Sequence, residues 1–488
     1  MGQVAKQSIL NTLVTYFGIF FGAINTLFLF THILSEQDYG VVSYILATAN
    51  MVWPILAFGL HNTLIKFYHN YTDTTTQFRF FTWILLVPVL LLIVVVALYL
   101  LLNDLIIEHY SHSNPVVIPY VWVIIAIGFM SAYFELFYAW AKVHLQSVKG
   151  NLVKELLHRV LISILLGAVY FEFLSAEYFI YCLAILYTLR TWLMKRIAFK
   201  VKKPQFSLGN LPNTKSLISY SALILIAASV TVFLLDLDKL MIENYMNIEN
   251  VAIYNICVYI AGVAGVPVRA MLQITNPITA KLLVANDSIS LNKLNKKSSL
   301  TAFIATIWVS LLVVCNVHAI FQMIPPQYEL YIEIILLITF IKLFDASLGI
   351  TNSVLFNSNS YQWVLIIGVA ILGIAFYLNT VFIPNHGIVG AVLATFFSYT
   401  IYNMAKLIFV YIKFKIQPFS LRTLFVISYA LIIWLIFYYW NTTGVMHPIF
   451  SIAIKGTAIS IAYIMFIYLT KLSPEVNEII NKTLFKSK

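Results

Sequence analysis

Several ionisable residues stand inside long apolar stretches of this sequence, and their spacing limits what each can do. Arg159 follows Glu155 by four residues, and Asp345 follows Lys342 by three. On a helix both spacings place the two side chains on one face, and Glu ahead of Arg at i,i+4 is the favourable order for an ion pair. Each pair reads either as a self-neutralised contact or as a cation held for an anionic ligand; the deeper position of Lys342 favours the second reading there. A charge near the centre of a bilayer costs about 2.5–3.5 kcal/mol on insertion scales, so each one needs a reason. Lys455 has no acid within four positions, which leaves a partner on a neighbouring helix or snorkelling to the surface. Arg190 and Arg269 read as snorkelling residues near helix ends. Arg269 also follows Gly262, Gly265 and Pro267, and a helix broken in that way is tolerated where it lines a cavity. Among the acids, Glu135 is flanked by Tyr133, Phe134 and Phe137, an apolar setting in which a carboxyl can carry a proton. Asp236 lies three residues before Lys239; a surface ion pair is the simpler reading, with proton or sodium binding as the alternative. Asn25, Asn50 and His61 either line a cavity or join helices through hydrogen bonds.

The elements that must position these groups follow from composition. The 488 residues are 61% hydrophobic and 10% charged, with a mean hydropathy of +0.89. Soluble domains carry roughly 25% charged residues, so this is a polytopic membrane protein. Its apolar runs are continuous rather than alternating, which implies helices of about 20 residues. The sequence predicts an all-α chain with fourteen transmembrane helices, near 10–33, 41–60, 81–102, 119–140, 152–171, 177–196, 217–236, 251–272, 300–323, 330–352, 363–383, 388–411, 423–440 and 447–470.

The net charge of +11 is topology rather than a nucleic-acid footprint. Loops after odd-numbered segments, such as 35–40, 103–118, 237–250 and 441–446, hold one lysine, Lys239, and no arginine. The other side carries nearly all the remaining basic residues, among them Lys142, Lys154, Lys195, Arg196, Lys297, Lys406 and the tail lysines Lys486 and Lys488. By the positive-inside rule both termini are cytoplasmic. The basic stretches 195–215 and 286–297 and the amphipathic tail, with Val476, Ile479, Ile480 and Leu484 on one face, read as a collar on anionic lipid. Cys182, Cys257 and Cys315 lie in apolar runs and build neither a disulfide framework nor a metal site. There is no metal-ligand cluster, phosphate loop or nucleophile triad to support an enzyme.

The stretch Leu217–Arg269 repeats the opening of the chain. Shifted by 212 residues, the turn Ser35–Asp38 falls on Asn247–Asn250, and Pro54 falls one place from Pro267. Six spans is an even number, so two such halves enter the membrane from the same side, pack about an axis along the membrane normal and leave a central cavity. The expected organisation is an N-terminal six-helix bundle over 1–196, a cytoplasmic linker over 197–216, and a second six-helix bundle over 217–412. Two extra helices over 413–470 and a cytoplasmic tail over 471–488 complete it.

On particular residues the chain resembles the polysaccharide flippases of the Wzx type, which serve O-antigen, capsule and exopolysaccharide synthesis. These belong to the multidrug/oligosaccharidyl-lipid/polysaccharide exporter (MOP) superfamily. The likeness is carried by Ile33-Leu34-Ser35-Glu36-Gln37-Asp38-Tyr39-Gly40, Phe58-Gly59-Leu60, Asp238-Lys239 with Val251-Ala252-Ile253-Tyr254, and His386-Gly387-Ile388-Val389-Gly390-Ala391. The sequence departs from the family at Val251-Ala252, where glycine is frequent. The resemblance implies alternating access and a lipid-linked oligosaccharide on an undecaprenyl-pyrophosphate-type anchor, moved across a bacterial inner membrane for surface polysaccharide such as lipopolysaccharide. With such a cargo, the intramembrane charges weighed above give Arg159, Lys342, Arg269 and Lys455 as candidate cations for the pyrophosphate, and Glu135, Asp236 and Asp345 as candidate acids for proton or sodium coupling. No cofactor is expected. The expected partners are the lipid-linked oligosaccharide, membrane lipids, and polysaccharide polymerase and glycosyltransferases, with no nucleic acid. A cation-coupled drug antiporter, or less readily a membrane polymerase or glycosyltransferase, is the alternative. The antiporter should carry a carboxylate-rich cavity. The enzymes need a longer outer loop than 103–118.

Overall fold

The computed structural model describes residues 3–144, 146–358, 361–440 and 446–484. Among them every regular element is helical, with no strand. Most of the loop 441–446 and the tail lysines Lys486 and Lys488 lie outside the described residues, as do the side chains of Ile479, Ile480 and Leu484. The main helices are α1 (Gln3–Ile24), α2 (Glu36–Ala57), α3 (Leu60–Phe67), α4 (Thr74–Leu101), α5 (Val121–Val143), α6 (His158–Tyr170), α7 (Ala176–Val201) and α8 (Thr214–Tyr245). They continue with α9 (Glu249–Gly262), α10 (Val266–Val284), α11 (Ser288–Val314), α12 (Ile332–Ser347), α13 (Tyr361–Phe414), α14 (Leu421–Tyr438), α15 (Pro448–Thr470) and α16 (Pro474–Leu484).

Capping residues start several of these helices. Ser35, Asp73, Ser175 and Asp287 each accept a backbone N–H three residues on, which satisfies one of the donors that a helix start leaves open. Two of the motifs quoted above are breaks between helices. Phe58 and Gly59 both take left-handed backbone between α2 and α3, and a side chain at Gly59 would collide with the Ser221 carbonyl of α8. Gly387, at φ 58° and ψ −141°, divides α13 into two helices. Only glycine adopts such backbone without strain.

Nine helices among the described residues are long and apolar enough to cross a membrane, or up to eleven if each of two bent pairs is one span. The expected fourteen is not reached by this measure. One of the nine, Gln362–Phe414, contains both helices that meet at Gly387. The stretch ending in α6 is broken by a π turn, and α7 carries Glu177, Arg190, Lys195, Arg196 and Lys200; neither is among the nine.

The chain divides into two compact units, Met1–Asn255 and Ile256–Lys488, with the boundary inside α9. In the first unit α5 packs on α2 and α7, and α8 packs on α2 and α3. Its core gathers Phe80, Phe81, Phe134, Phe137, Trp140 and Met194. In the second unit α11 packs against α10, α12, α14 and α15. There Phe303, Ile307, Leu311, Ile433, Ile459 and Tyr463 form a core, and Val476 of the tail helix packs on it.

Candidate functional site: cationic clusters within the two units

In the first unit the cluster is built on α5, α7 and the stretch leading into α6. That stretch begins as one α turn, Val148–Asn151, widens into a π turn over Leu152–Leu157, and returns to α at His158. A π turn inserts a residue and rotates the side chains that follow, a device frequent at functional sites. Here it carries Lys154 and Glu155. The Lys154 Nζ lies 2.6 Å from the Glu135 Oε1, and the Arg159 Nη2 lies 3.6 Å from the Glu155 Oε2. The guanidinium of Arg190 stacks 4.0 Å over the ring of Phe134, and the Lys142 Nζ sits 3.8 Å over the ring of Tyr138.

A second π turn, Asn25–Leu29 at the end of α1, packs on α6, just beyond the first. The Asn25 Nδ2 donates to the Arg159 carbonyl at 2.8 Å, and the Ser163 Oγ donates to the Asn25 Oδ1 at 2.6 Å. Gly18 on α1 lets the backbones meet, since a Cβ there would stand 2.5 Å from the Glu155 carbonyl oxygen. Four cations (Lys142, Lys154, Arg159, Arg190) thus face two acids (Glu135, Glu155), an excess of two positive charges. Arg159 Nη1 and Arg190 Nε are buried and have no hydrogen-bond partner among the described residues. Buried donors are expensive to leave unpaired, and guanidinium groups suit phosphate oxygens.

In the second unit a 3-10 turn, Val263–Gly265, precedes α10, which carries Arg269 exposed on its surface. Gly265 faces the Lys342 stem on α12. The Lys342 Nζ is 5.9 Å from the centre of the Tyr399 ring. Asp345 accepts from the Asn403 Nδ2 at 2.7 Å, and the buried Lys406 lies with its Nζ 4.1 Å from the centre of the Tyr402 ring. Among the described residues no carboxylate lies within 4.0 Å of the charged groups of Arg269, Lys342, Lys406 or Lys455.

These positions revise several expectations. The Arg159–Glu155 pair forms, but the Lys342–Asp345 pair does not: Asp345 turns to Asn403. Glu135 is not in an apolar pocket, because Lys154, nineteen residues along the chain, reaches its carboxylate. Asp236 pairs with Lys239 at 3.1 Å as expected, yet Asp236 is buried and Lys239 half-buried, and the Asn50 Nδ2 donates to Asp236 at 3.4 Å. Asn25 and Asn50 therefore join helices. Arg190 does not snorkel: it is buried on α7 against Phe134. Lys455 does not reach the surface either, since it is buried on α15, which packs on α11 and α14. Lys142, Lys154, Arg190 and Lys406 are not legible as site residues, because their places near the cytoplasmic ends of apolar runs read as topology or snorkelling.

Residues 4–283 match the Polysacc_synt family, described as polysaccharide biosynthesis protein. The chain belongs to this family. The match takes in the whole first cluster and, in the second, Arg269. Among solved structures the chain is similar to the lipid II flippase MurJ in an inward closed conformation. The TM-score is 0.76 at 13% identity, over 95% of this chain and 100% of that one. It is also similar to an inward-facing multidrug resistance MATE transporter of the MOP superfamily, with a TM-score of 0.60 at 12% identity over 84% and 98% of the two chains. A third likeness is to a MOP superfamily transporter from Pyrococcus furiosus, with a TM-score of 0.52 at 11% identity over 85% and 96%. No curated protein matches the sequence. The family match gives the family, and the likenesses show that the chain shares the fold of MurJ and the MATE transporter.

Proposed function

We propose that this member of the family flips a lipid-linked oligosaccharide repeat unit by alternating access. The observation that carries the reading is the surplus of cations inside each unit, with Arg159 and Arg190 offering buried donors that no group among the described residues satisfies. A pyrophosphate would take those donors as charge-assisted hydrogen bonds while its lipid tail stays in the bilayer. Arg159 and Arg190 are assigned to the head group, and Arg269 and Lys342 form a further cationic station. Lys455 keeps a subsidiary role. The lipid is of the undecaprenyl-pyrophosphate type, the membrane a bacterial inner membrane with both termini cytoplasmic, and polymerase and glycosyltransferases are the functional partners. Proton or sodium coupling is assigned to Asp345, because Glu135 and Asp236 already hold lysines.

The likeness to a multidrug transporter favours one rival, a cation-coupled drug antiporter. Against it stands the pairing of Glu135, Glu155 and Asp236 with cations, which leaves little free carboxylate for a cationic drug. The test is complementation of bacteria lacking their own flippase, scored by surface glycan. Wild type should restore the glycan, Arg159→Ala should not, and Arg159→Lys should do so partly. Equal activity of all three would discard the role of Arg159. Drug resistance without glycan restoration would favour the antiporter.

A further inference from the structure

Outside the cationic clusters, a densely hydrogen-bonded side chain belongs to Asn114, in the connection between the helix Asn103–His112 and the 3-10 turn Pro115–Tyr120. It is 6% exposed. Its Nδ2 donates to the Glu243 carbonyl at 2.8 Å, to the Glu243 Oε1 at 3.2 Å and to the Met246 carbonyl at 3.1 Å. Its Oδ1 accepts the Ile248 N–H at 2.9 Å. The neighbouring Ser113 Oγ donates to the same Glu243 oxygen at 3.1 Å. One short connection therefore grips the end of α8, the turn after it and the first residues toward α9, all within the first unit. That turn is also held from below, since Gly40 admits the Ile248 carbonyl where any side chain would collide.

Two further observations indicate a grip that can be released. First, a cleft of about 350 Å³ opens beside it, lined by His109, His112, Ser113, Glu243, Tyr245 and Asn247 among others. Water from that cleft can satisfy the amide and carboxylate when they part, so opening leaves no polar group stranded. Second, the gripped segment runs straight into α9, inside which the second unit begins.

We propose that Asn114, closing on Glu243 and the 246–248 turn, is a latch that holds this lead-in during one half of the transport cycle and must release it in the other. The proposal rests on the alternating-access reading above. The test uses full-length protein with Asn114→Cys and Ile248→Cys, in a background carrying Cys182→Ala, Cys257→Ala and Cys315→Ala, reconstituted in vesicles with a polyprenyl-pyrophosphate oligosaccharide. Oxidation to the cross-linked form should slow flipping at least tenfold, and reductant should restore it. Protein shown by mass to be fully cross-linked, yet flipping at the reduced rate, would overturn the latch. A second readout covers failure of that variant to fold. In Asn114→Ala, hydrogen exchange at the Ile248 amide should speed up at least tenfold while the amides of α5 keep their protection; unchanged exchange at Ile248 would also overturn it. If unmodified protein flips no such lipid, the flippase reading fails and the latch with it, whereas flipping that the cross-link leaves unchanged overturns the latch alone.

Discussion

Lys154→Met gives a sharp test of how the first cluster is built. The substitution would leave the Glu135 carboxylate, whose side chain is 12% exposed, without the ammonium now 2.6 Å away. Removing one member of a fully buried pair costs about 3–5 kcal/mol, because the remaining charge loses its compensation. The Lys154 side chain is 37% exposed, so solvent screens part of the interaction and about 2–3 kcal/mol is expected. Glu135→Gln together with Lys154→Met removes both charges and should recover most of that loss. Unfolding free energies in bicelles, measured for the two single variants and the double variant, give the coupling directly. A Lys154→Met protein within about 0.5 kcal/mol of wild type, the range of an ordinary surface change, would refute the reasoning. The same variants separate two roles for Glu135. As a partner of Lys154 it can become glutamine with flipping retained; as a coupling acid it cannot.

Gly18→Val should force α1 away from the Glu155 backbone, costing about 1–3 kcal/mol as overpacking does and most of the flipping rate. Gly167→Ala, which meets nothing within 4 Å, should leave thermal stability and flipping unchanged. Arg190→Ala should lose the stack on Phe134, worth about 2 kcal/mol when desolvated, and flipping with it; Arg190→Lys should keep part of both, as a thermal melt and a flipping assay will read. The tail helix should respond to acid. Burial alone would raise the Glu475 carboxyl, but the hydrogen bond from Lys297 and its charge hold it below its ordinary value. The unfolded form then binds the proton more readily, so the contact is complete above about pH 4.3 and is lost as pH falls through the lower folded value. With both side chains a third or more exposed, it contributes less than about 1 kcal/mol. The protection of amides 474–484, corrected for the intrinsic pH dependence of exchange, should fall at low pH in wild type and change much less in Lys297→Met.

What could be read in the sequence was whatever depends on local order. The membrane class follows from composition. The breaks at Gly59 and Gly387 follow from glycine placed between apolar runs, and the Arg159–Glu155 and Asp236–Lys239 pairs follow from helical spacing. What could not be read depends on contacts between helices. Lys154 counts by position among the basic residues of the cytoplasmic side, and nothing in the chain announces that it reaches Glu135 across nineteen residues. Arg190 passed for a snorkelling residue because its aromatic platform, Phe134, lies on another helix. The two π turns, Asn25–Leu29 and Leu152–Leu157, have no signature in a pattern read at 3.6 residues per turn, yet they set where Arg159 and Lys154 point. Lys342 and Asp345 had helical spacing and still did not pair, because Asn403 offered Asp345 a better-placed donor.

The central claim is that buried cations hold the anionic head group of a lipid-linked oligosaccharide. It is tested most directly by flipping of a fluorescent polyprenyl-pyrophosphate oligosaccharide in vesicles containing purified protein. Wild type should flip it, free pyrophosphate should compete, and Arg159→Ala combined with Arg190→Ala should reduce the rate to that of empty vesicles while the protein remains folded. Undiminished flipping by the folded double variant would contradict the account.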